Sequence, residues 1–405
     1  MRVLLLNTYP SGGGAAIATA RAMEALQARG ADVRLLTITG YGYKWQVRFL
    51  LERLDTYFVV RGHSDMLFRF STASLGVNIA DHPWVEWAEV IHIQWVQQGF
   101  VSLRGIERLL SMEGKRIFWS LHDLWPLTGG CHLPYMIDDS GATSFCHKYK
   151  TMCGDCPILR SDSTSDRAHS IFLKKSHLPL SRVHFIAVSN HIKEVAIGAT
   201  LTRESQISVV HNPIDIQVFY PNTTLEDEDV ARLLFVASKL DDPVKGLDYL
   251  RQMLTTATEI NPQLMANARL YLVGKTKHKE ALQGFPIAIE HIEGIDQKHL
   301  VSLYQKGTLL LSTSRYETMG QTILEALACG TPSVAFDVGG ISDMIISGVN
   351  GALVPAYDTR MMAQSVIDWL LKHKETSRRE IAKSVAHFST DVIGTQLMTL
   401  YKGSE

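Results

Sequence analysis

Neither sign of charge dominates this sequence: 40 lysines and arginines stand against 41 aspartates and glutamates, a formal net charge of −1. That balance leaves no polyanion-binding footprint and argues against a nucleic-acid partner. Long apolar runs are missing as well, and no segment approaches the length needed to span a bilayer. The apolar start Met1–Asn7 is too short for a secretory signal and runs straight into Pro10 and three glycines, so it reads as a first strand. Internal repeats and low-complexity tracts are absent. Cysteine is scarce, five in 405 residues, and four of the five fall between Cys131 and Cys156. What remains is a folded chain of ordinary composition, 46% hydrophobic, expected in the cytoplasm or peripherally on the inner face of the cell membrane.

A chain of 405 residues is too long for one typical core and fits two domains. Strands are predicted at Val3–Leu6, Val33–Ile38, Val90–Ile93, Ile117–Leu121, Phe185–Val188 and Ile207–Val210, with a helix over Ala15–Arg29 ended by Gly30. The rhythm restarts with Leu233–Ala237, Leu270–Val273, Leu309–Leu311 and Ser333–Phe336. Alternation of this kind implies an α/β protein with parallel sheets covered by helices on both faces. The expected organisation is two Rossmann-like domains facing a cleft. The boundary falls after Asn212-Pro-Ile-Asp215, before the acidic stretch 222–229. Residues 1–214 form the first domain and 215–384 the second.

The sharpest chemistry lies in Ser314-Arg-Tyr-Glu-Thr-Met-Gly-Gln-Thr-Ile-Leu-Glu325, followed by a run to Gly330-Thr-Pro332. A strand, a loop bearing Glu317 and a helix from Gln321 aim backbone N–H groups at an anion, as α/β proteins do for phosphates. A carboxylate on that loop repels phosphate and suits sugar or ribose hydroxyls instead. Phosphate with polyol means a nucleotide-sugar. After the strand Leu233–Ala237, Lys239 and Lys245 put two cations on one loop, which suits a diphosphate whose charge grows as a glycosidic bond breaks.

Glu317, Gly320, Glu325 and the run to Pro332 resemble the E-x7-E signature of retaining glycosyltransferases of family 4, which have the GT-B fold. The resemblance implies that Glu317 contacts hydroxyls of the transferred sugar and Glu325 the ribose, with amides near Gly320, Gln321 and Thr322 meeting sugar and phosphate. Met319 stands where the family usually has an aromatic residue, and Ser238-Lys239 replaces its usual Gly-Arg. Lys245 matches the family's second cation. The glycine turn Ser11–Gly14 is not a dinucleotide fingerprint; by the same resemblance Gly13 and Gly14 lie over the diphosphate and acceptor. In the GT-B fold the last helix crosses back to the first domain, and 385–405 is the candidate. Such enzymes generally need no catalytic metal or cofactor.

His122-Asp123 follows the strand Ile117–Leu121, at the end that points into the ligand crevice of such sheets. His122 resembles the family's histidine on the sugar side of the first domain; the plainer reading is a structural histidine paired with Asp123. Cys131, Cys146, Cys153 and Cys156 include one C-x2-C pair, half of a tetrahedral zinc site, with His132 and His147 as rival ligands. A structural zinc and free or redox-active thiols both remain open. Trp125-Pro126, Gly130-Cys131 and Cys153-x2-Cys156-Pro157 resemble, in that order, a bacterial subgroup building exopolysaccharide, colanic-acid or capsule repeats.

Stretch 41–70 interleaves Lys44, Arg48, Arg53, Arg61 and Arg69 with Trp45, Phe49, Tyr57, Phe58, Phe68 and Phe70. That mixture suits a lipid headgroup or a lipid-linked acceptor. An ordinary amphipathic helix with a solvated face is the preferred reading, since Glu52, Asp55 and Asp65 dilute the charge. Asp227-Glu-Asp229 is a literal D-x-D, discounted because it precedes a strand. The expected activity is sugar transfer from an NDP-sugar to a hydroxyl of a saccharide acceptor with retained configuration. The rivals are an NDP-sugar epimerase or a phosphorylase on the same fold, or a non-catalytic sugar-nucleotide sensor.

Overall fold

The computed structural model describes residues 1–41, 44–138, 140–222, 230–372 and 377–403, so the D-x-D at 227–229 lies outside the described residues. The chain divides into two compact units: Met1–Pro213 together with the chain from Ile393 onward, and Ile214–Val392.

The first unit carries β1 (Arg2–Leu6), β2 (Asp32–Leu36), β3 (Val90–Ile93), β4 (Arg116–Leu121), β5 (Tyr135–Ile137), β6 (Thr143–Phe145), β7 (Val183–Ala187) and β8 (Gln206–Val209). Six of them form a parallel sheet in the order β2-β1-β3-β4-β7-β8, while β5 and β6 make a separate antiparallel hairpin. Val3, Leu4, Leu5 and Leu6 are all buried, as a strand covered on both faces requires. The helix predicted over Ala15–Arg29 spans Gly14–Ala28 and is closed by Gly30 at φ 79°, whose left-handed backbone ends the helix.

The second unit repeats the architecture with β9 (Ala231–Lys239), β10 (Ala268–Lys275), β11 (Ala288–Ile292), β12 (Leu309–Ser312), β13 (Ser333–Phe336) and β14 (Gly351–Val354). The order is β11-β10-β9-β12-β13-β14, again all parallel. The sheet order reverses at β1/β3 in the first unit and at β9/β12 in the second. Open α/β sheets bind ligands outside the carboxyl ends of the strands at such a switch point. Position is therefore set by topology before any side chain is considered.

The final helix, Thr390–Lys402, packs Ile393, Leu397 and Tyr401 into one core with Val3, Leu5, Val90 and Phe118 of the first unit. Gly394 allows the approach, because a Cβ there would meet the Ala25 carbonyl oxygen at 2.7 Å. Tyr401 packs on Phe118 with ring centroids 4.8 Å apart, and His92 Nδ1 lies 2.5 Å from its hydroxyl.

The helix Lys44–Val59 corrects the expectation of a solvated polar face. Glu52 and Thr56 are buried, while Leu50, Leu54 and Phe58 are exposed. Inward-facing polar partners cause the reversal: the Thr72 hydroxyl, with one hydrogen to donate between them, lies 2.9 Å from Glu52 Oε1 and 2.6 Å from Asp55 Oδ2, and the Leu75 amide donates to Glu52 Oε2 at 2.9 Å.

Tyr401→Ala removes a fully buried ring from the core that ties the last helix to the first sheet. The expected cost is about 3–5 kcal/mol, read as a lowered midpoint of the first unit in a denaturant titration.

Candidate functional site

At the β9/β12 switch point the two neighbouring strands launch the loops that carry Lys245 and Glu317. Lys245 ends a short 3-10 turn, Pro243–Lys245, whose start is capped by the Asp242 side chain accepting from the Val244 amide at 3.1 Å. Gly246 follows at φ 66°, and a Cβ there would stand 2.0 Å from the Thr313 carbonyl oxygen, so the two loops touch backbone to backbone. Lys245 Nζ donates to Glu317 Oε1 at 2.7 Å, and the Ser314 hydroxyl donates to the same oxygen at 2.8 Å. Burial alone would lower the Lys245 pKa, but the Glu317 carboxylate outweighs it and holds the ammonium above its usual value. The ammonium stays charged.

Behind this pair sits a second one that sequence reasoning missed. The buried Arg315 forks onto Asp248, Nη1 to Oδ1 at 2.9 Å and Nη2 to Oδ2 at 2.6 Å, and also donates to the Pro243 carbonyl at 2.9 Å. Its guanidinium lies 4.4 Å from the Tyr249 ring centre, and Tyr249 stacks on Tyr357. Burial would raise the Asp248 pKa; Arg315 more than reverses this and keeps the carboxyl below its usual value. The arginine is legible in the sequence only as a neighbour of the motif, because its partner lies 67 positions away.

Gly320 at φ 92° opens the helix Gln321–Ala328, which has no side-chain cap and no acidic residue in its first turn. Such an end carries partial positive charge. Gln321 and Thr322 stand in that first turn, and Met319 is buried beneath it. Glu325 is buried on the same helix, where Oε2 accepts from the Tyr304 hydroxyl at 3.1 Å. Gly339 at φ 60° lets a neighbouring loop close on Glu317: a Cβ would meet the Glu317 carbonyl oxygen at 1.8 Å, and the Gly340 amide donates to that oxygen at 3.0 Å. Lys239 departs from expectation. It is the last residue of β9 rather than part of a loop, about half exposed, and its ammonium lies 3.8 Å from Asp241.

In the first unit, the β1/β3 switch point carries the glycine turn after β1 and Gln94 after β3. Gly12 and Gly13 have φ of 86° and 82°, and the helix starting at Gly14 has no side-chain cap. A Cβ on Gly12, Gly13 or Gly14 would meet nothing within 4 Å, so glycine is required at the first two for backbone conformation, not for crowding. His122 Nε2 lies 2.7 Å from Gln94 Oε1. The plainer reading of His122, a pairing with Asp123, is thereby corrected. Asp123 accepts instead from Trp95 Nε1 at 2.6 Å and the Trp125 amide at 2.9 Å, with His132 Nδ1 at 2.6 Å.

The segment from His122 to Cys131 is held from below by Lys175, which the sequence did not signal. Its buried ammonium donates to the Trp125 carbonyl and, at 2.9 Å, to the Thr128 carbonyl, over the Trp125 ring. Burial draws its pKa down to about 7. Cys131, Cys153 and Cys156 are buried and Cys146 is half-buried, all as free thiols. Burial pushes the Cys153 thiol up to about 12 and Cys156 to about 11, so neither is an activated nucleophile. Among the described residues no group of three or more His, Cys, Asp or Glu side chains is arranged to hold a metal ion. A cavity of about 430 Å³ lies elsewhere in this unit, lined by Thr72, Arg104, Arg167 and Lys174 among others, and includes none of the site residues expected from the sequence.

The architecture is that of GT-B glycosyltransferases. Sucrose-phosphate synthase from Thermosynechococcus elongatus superimposes with a TM-score of 0.65 at 18% identity, covering 99% of this chain and 98% of that one. Anabaena HepE in complex with UDP-glucose gives 0.59 at 16% identity, with complete coverage of both chains. Residues 231–372, within the second unit, match the family Glycosyl transferases group 1. Among curated proteins, an uncharacterised glycosyltransferase of Methanocaldococcus jannaschii is 24% identical over 63% of this chain and 67% of its own length. The D-inositol 3-phosphate glycosyltransferase of Mycolicibacterium smegmatis is 28% identical over 46% of this chain, which spans 44% of that protein.

Burial lowers the His122 imidazole to about 4, against the opposing pull of Asp123, and lowers the fully buried His92 to about 3. In acid the unfolded chain therefore binds protons that the folded first unit refuses, and stability falls with pH. The loss from His122 sets in below its ordinary 6.5 and is complete near 4. His122→Asn should flatten the drop in melting temperature over this window by a few degrees, on the order of what one to two kcal/mol moves in a unit of this size.

Proposed function

We propose that this protein is a retaining glycosyltransferase of family 4 that moves a sugar from an NDP-sugar to a hydroxyl of a lipid-linked saccharide in bacterial surface polysaccharide synthesis. The reading is carried by one observation: the charged Lys245–Glu317 pair beside an uncapped helix end at the β9/β12 switch point. A cation and a helix N-terminus suit a diphosphate, and a carboxylate tied to that cation suits the hydroxyls of the sugar attached to it.

The roles follow from charge. As the anomeric C–O bond breaks, negative charge grows on the diphosphate, and Lys245 with the first-turn amides of Gln321 and Thr322 meets it where it develops. Glu317 orients the sugar. Glu325, fixed by Tyr304, is assigned to the ribose. In the first unit His122, held neutral, takes a donor hydroxyl, and Gly13 and Gly14 give a ligand close access to backbone. No residue is assigned as nucleophile: the leaving phosphate accepts the proton of the attacking hydroxyl on the same face, so configuration is retained and no metal is needed for chemistry. HepE's complex with UDP-glucose makes that compound the first donor to test. The cysteine segment supports the capsule and exopolysaccharide context through its resemblance alone, and a structural zinc there would raise thermal stability without changing turnover.

The experiment is thermal stabilisation by UDP, GDP, ADP, dTDP and NAD at matched concentrations, followed by donor hydrolysis with the ligand that binds. One nucleoside diphosphate should raise the melting temperature, because a ligand stabilises only a state it binds. Stabilisation by NAD alone, or by none, rejects the reading, and tight binding without hydrolysis points to a sensor. Lys245→Ala should lower kcat/KM by about 10²–10³-fold; a variant with near-normal turnover removes Lys245 from the mechanism.

A further inference from the structure

The helix Lys44–Val59 is inverted relative to a surface helix of a water-soluble domain. Val47, Leu50, Leu51, Leu54, Tyr57 and Phe58 are all exposed, Leu50 by 64% and Phe58 by 70%. At 100° per residue these positions fall within an arc of roughly 120° on one side of the helix. They therefore form a single stripe along its length, and Phe68, 64% exposed, extends the apolar surface beyond the helix. Scattered apolar residues on a surface need no explanation, but a contiguous stripe does.

Charge around the stripe is sorted by sign. The helix's own acids are turned into the fold: Glu52 is 1% exposed, and Asp55 is held by Thr72 and lies 3.5 Å from Arg167 Nη2. Burial raises the Glu52 pKa against the hydrogen bonds it accepts. The cations lie at the margin. Arg53 donates to the Leu67 carbonyl at 2.8 Å with its guanidinium 4.1 Å from the Phe68 ring centre, Arg48 donates to the Gly76 carbonyl at 2.6 Å, and Arg61 is exposed just past the helix end. Each arginine keeps further N–H donors beyond these bonds. Apolar and aromatic side chains flanked by arginines, with the acids withdrawn, complement an apolar layer beneath anionic headgroups. A protein partner would be met equally well by charges of both signs.

We infer that this helix face is a membrane-docking surface that lies in the interface of a bilayer containing anionic lipid. The helix lies on the membrane and does not cross it; no helix among the described residues is long and apolar enough to span one. Leu50, Leu54 and Phe58 enter the acyl boundary while Arg53 and Arg61 remain at headgroup level. The inference needs no catalytic assignment.

The test is co-sedimentation of the full chain with phosphatidylcholine vesicles, with and without phosphatidylglycerol. The protein should pellet with the anionic vesicles, less so at high salt. The double variant Leu50→Glu/Phe58→Glu should partition at least about tenfold more weakly with an unchanged melting temperature, since both side chains already face solvent. Phe58→Trp, which adds no charge, should show a blue shift in emission on adding the same vesicles, beyond any change the parent's own tryptophans give. Absence of binding by the parent chain, equal binding by the double variant, or an emission change in Phe58→Trp no larger than the parent's would each overturn the inference. So would a solution dimer that the double variant dissolves, which assigns the face to a second copy. No nucleotide-sugar enters the measurement, so its failure leaves the glycosyl-transfer reading where nucleotide binding and Lys245 put it.

Discussion

A lysine and a carboxylate half-withdrawn from water at the ends of adjacent strands must be held in place, or desolvation works against them. In the second unit the hold comes from Arg315. Its bidentate bonds to Asp248, its bond to the Pro243 carbonyl and its amide's bond to the Val244 carbonyl at 2.7 Å lock the loop after β12 onto the loop after β9. Lys245 and Glu317 are each one or two residues from this clamp. Their 2.7 Å contact follows from backbone already fixed on both sides, so little side-chain freedom remains to be lost on pairing.

The two units place their chemistry by the same rule and fill it differently. At β9/β12 the sheet order reverses beside fixed ions; at β1/β3 it reverses beside a glycine turn and a neutral Gln94–His122 pair. One switch point thus presents a fixed ion pair and the other a neutral pair beside glycine backbone.

Much of this is legible from residue order. Apolar runs mark the central strands to within a few residues because parallel strands buried on both faces carry little else. The edge strands β11 and β14 leave no such mark: Ala288, Ile289 and Glu290 are exposed, and Gly351 opens the other, so neither shows a buried apolar run. The E-x7-E spacing points to the loop and helix that the second sheet presents at its switch point, but the Arg315–Asp248 clamp joins positions too far apart for spacing to reveal. Lys239 reads as a loop residue because the apolar run of β9 ends at Ala237, whereas pairing of Lys275 with Lys239 carries the strand further. The helix Lys44–Val59 misleads for a different reason. Composition counts Glu52 and Asp55 as surface charge, and only the fold shows that Thr72 and the Leu75 amide draw them inside.

The helix Thr390–Lys402 completes the first unit's core, yet it follows the whole second unit along the chain. During synthesis, the surface formed around Val3, Leu5, Val90 and Phe118 is made long before Ile393, Leu397 and Tyr401 exist to cover it. The nascent first unit must therefore wait with an open apolar seam while the second folds, and it closes only through a contact of very high sequence separation. The continuous second unit can mature as soon as it is made, whereas the discontinuous first unit cannot complete its core until the end of the chain emerges.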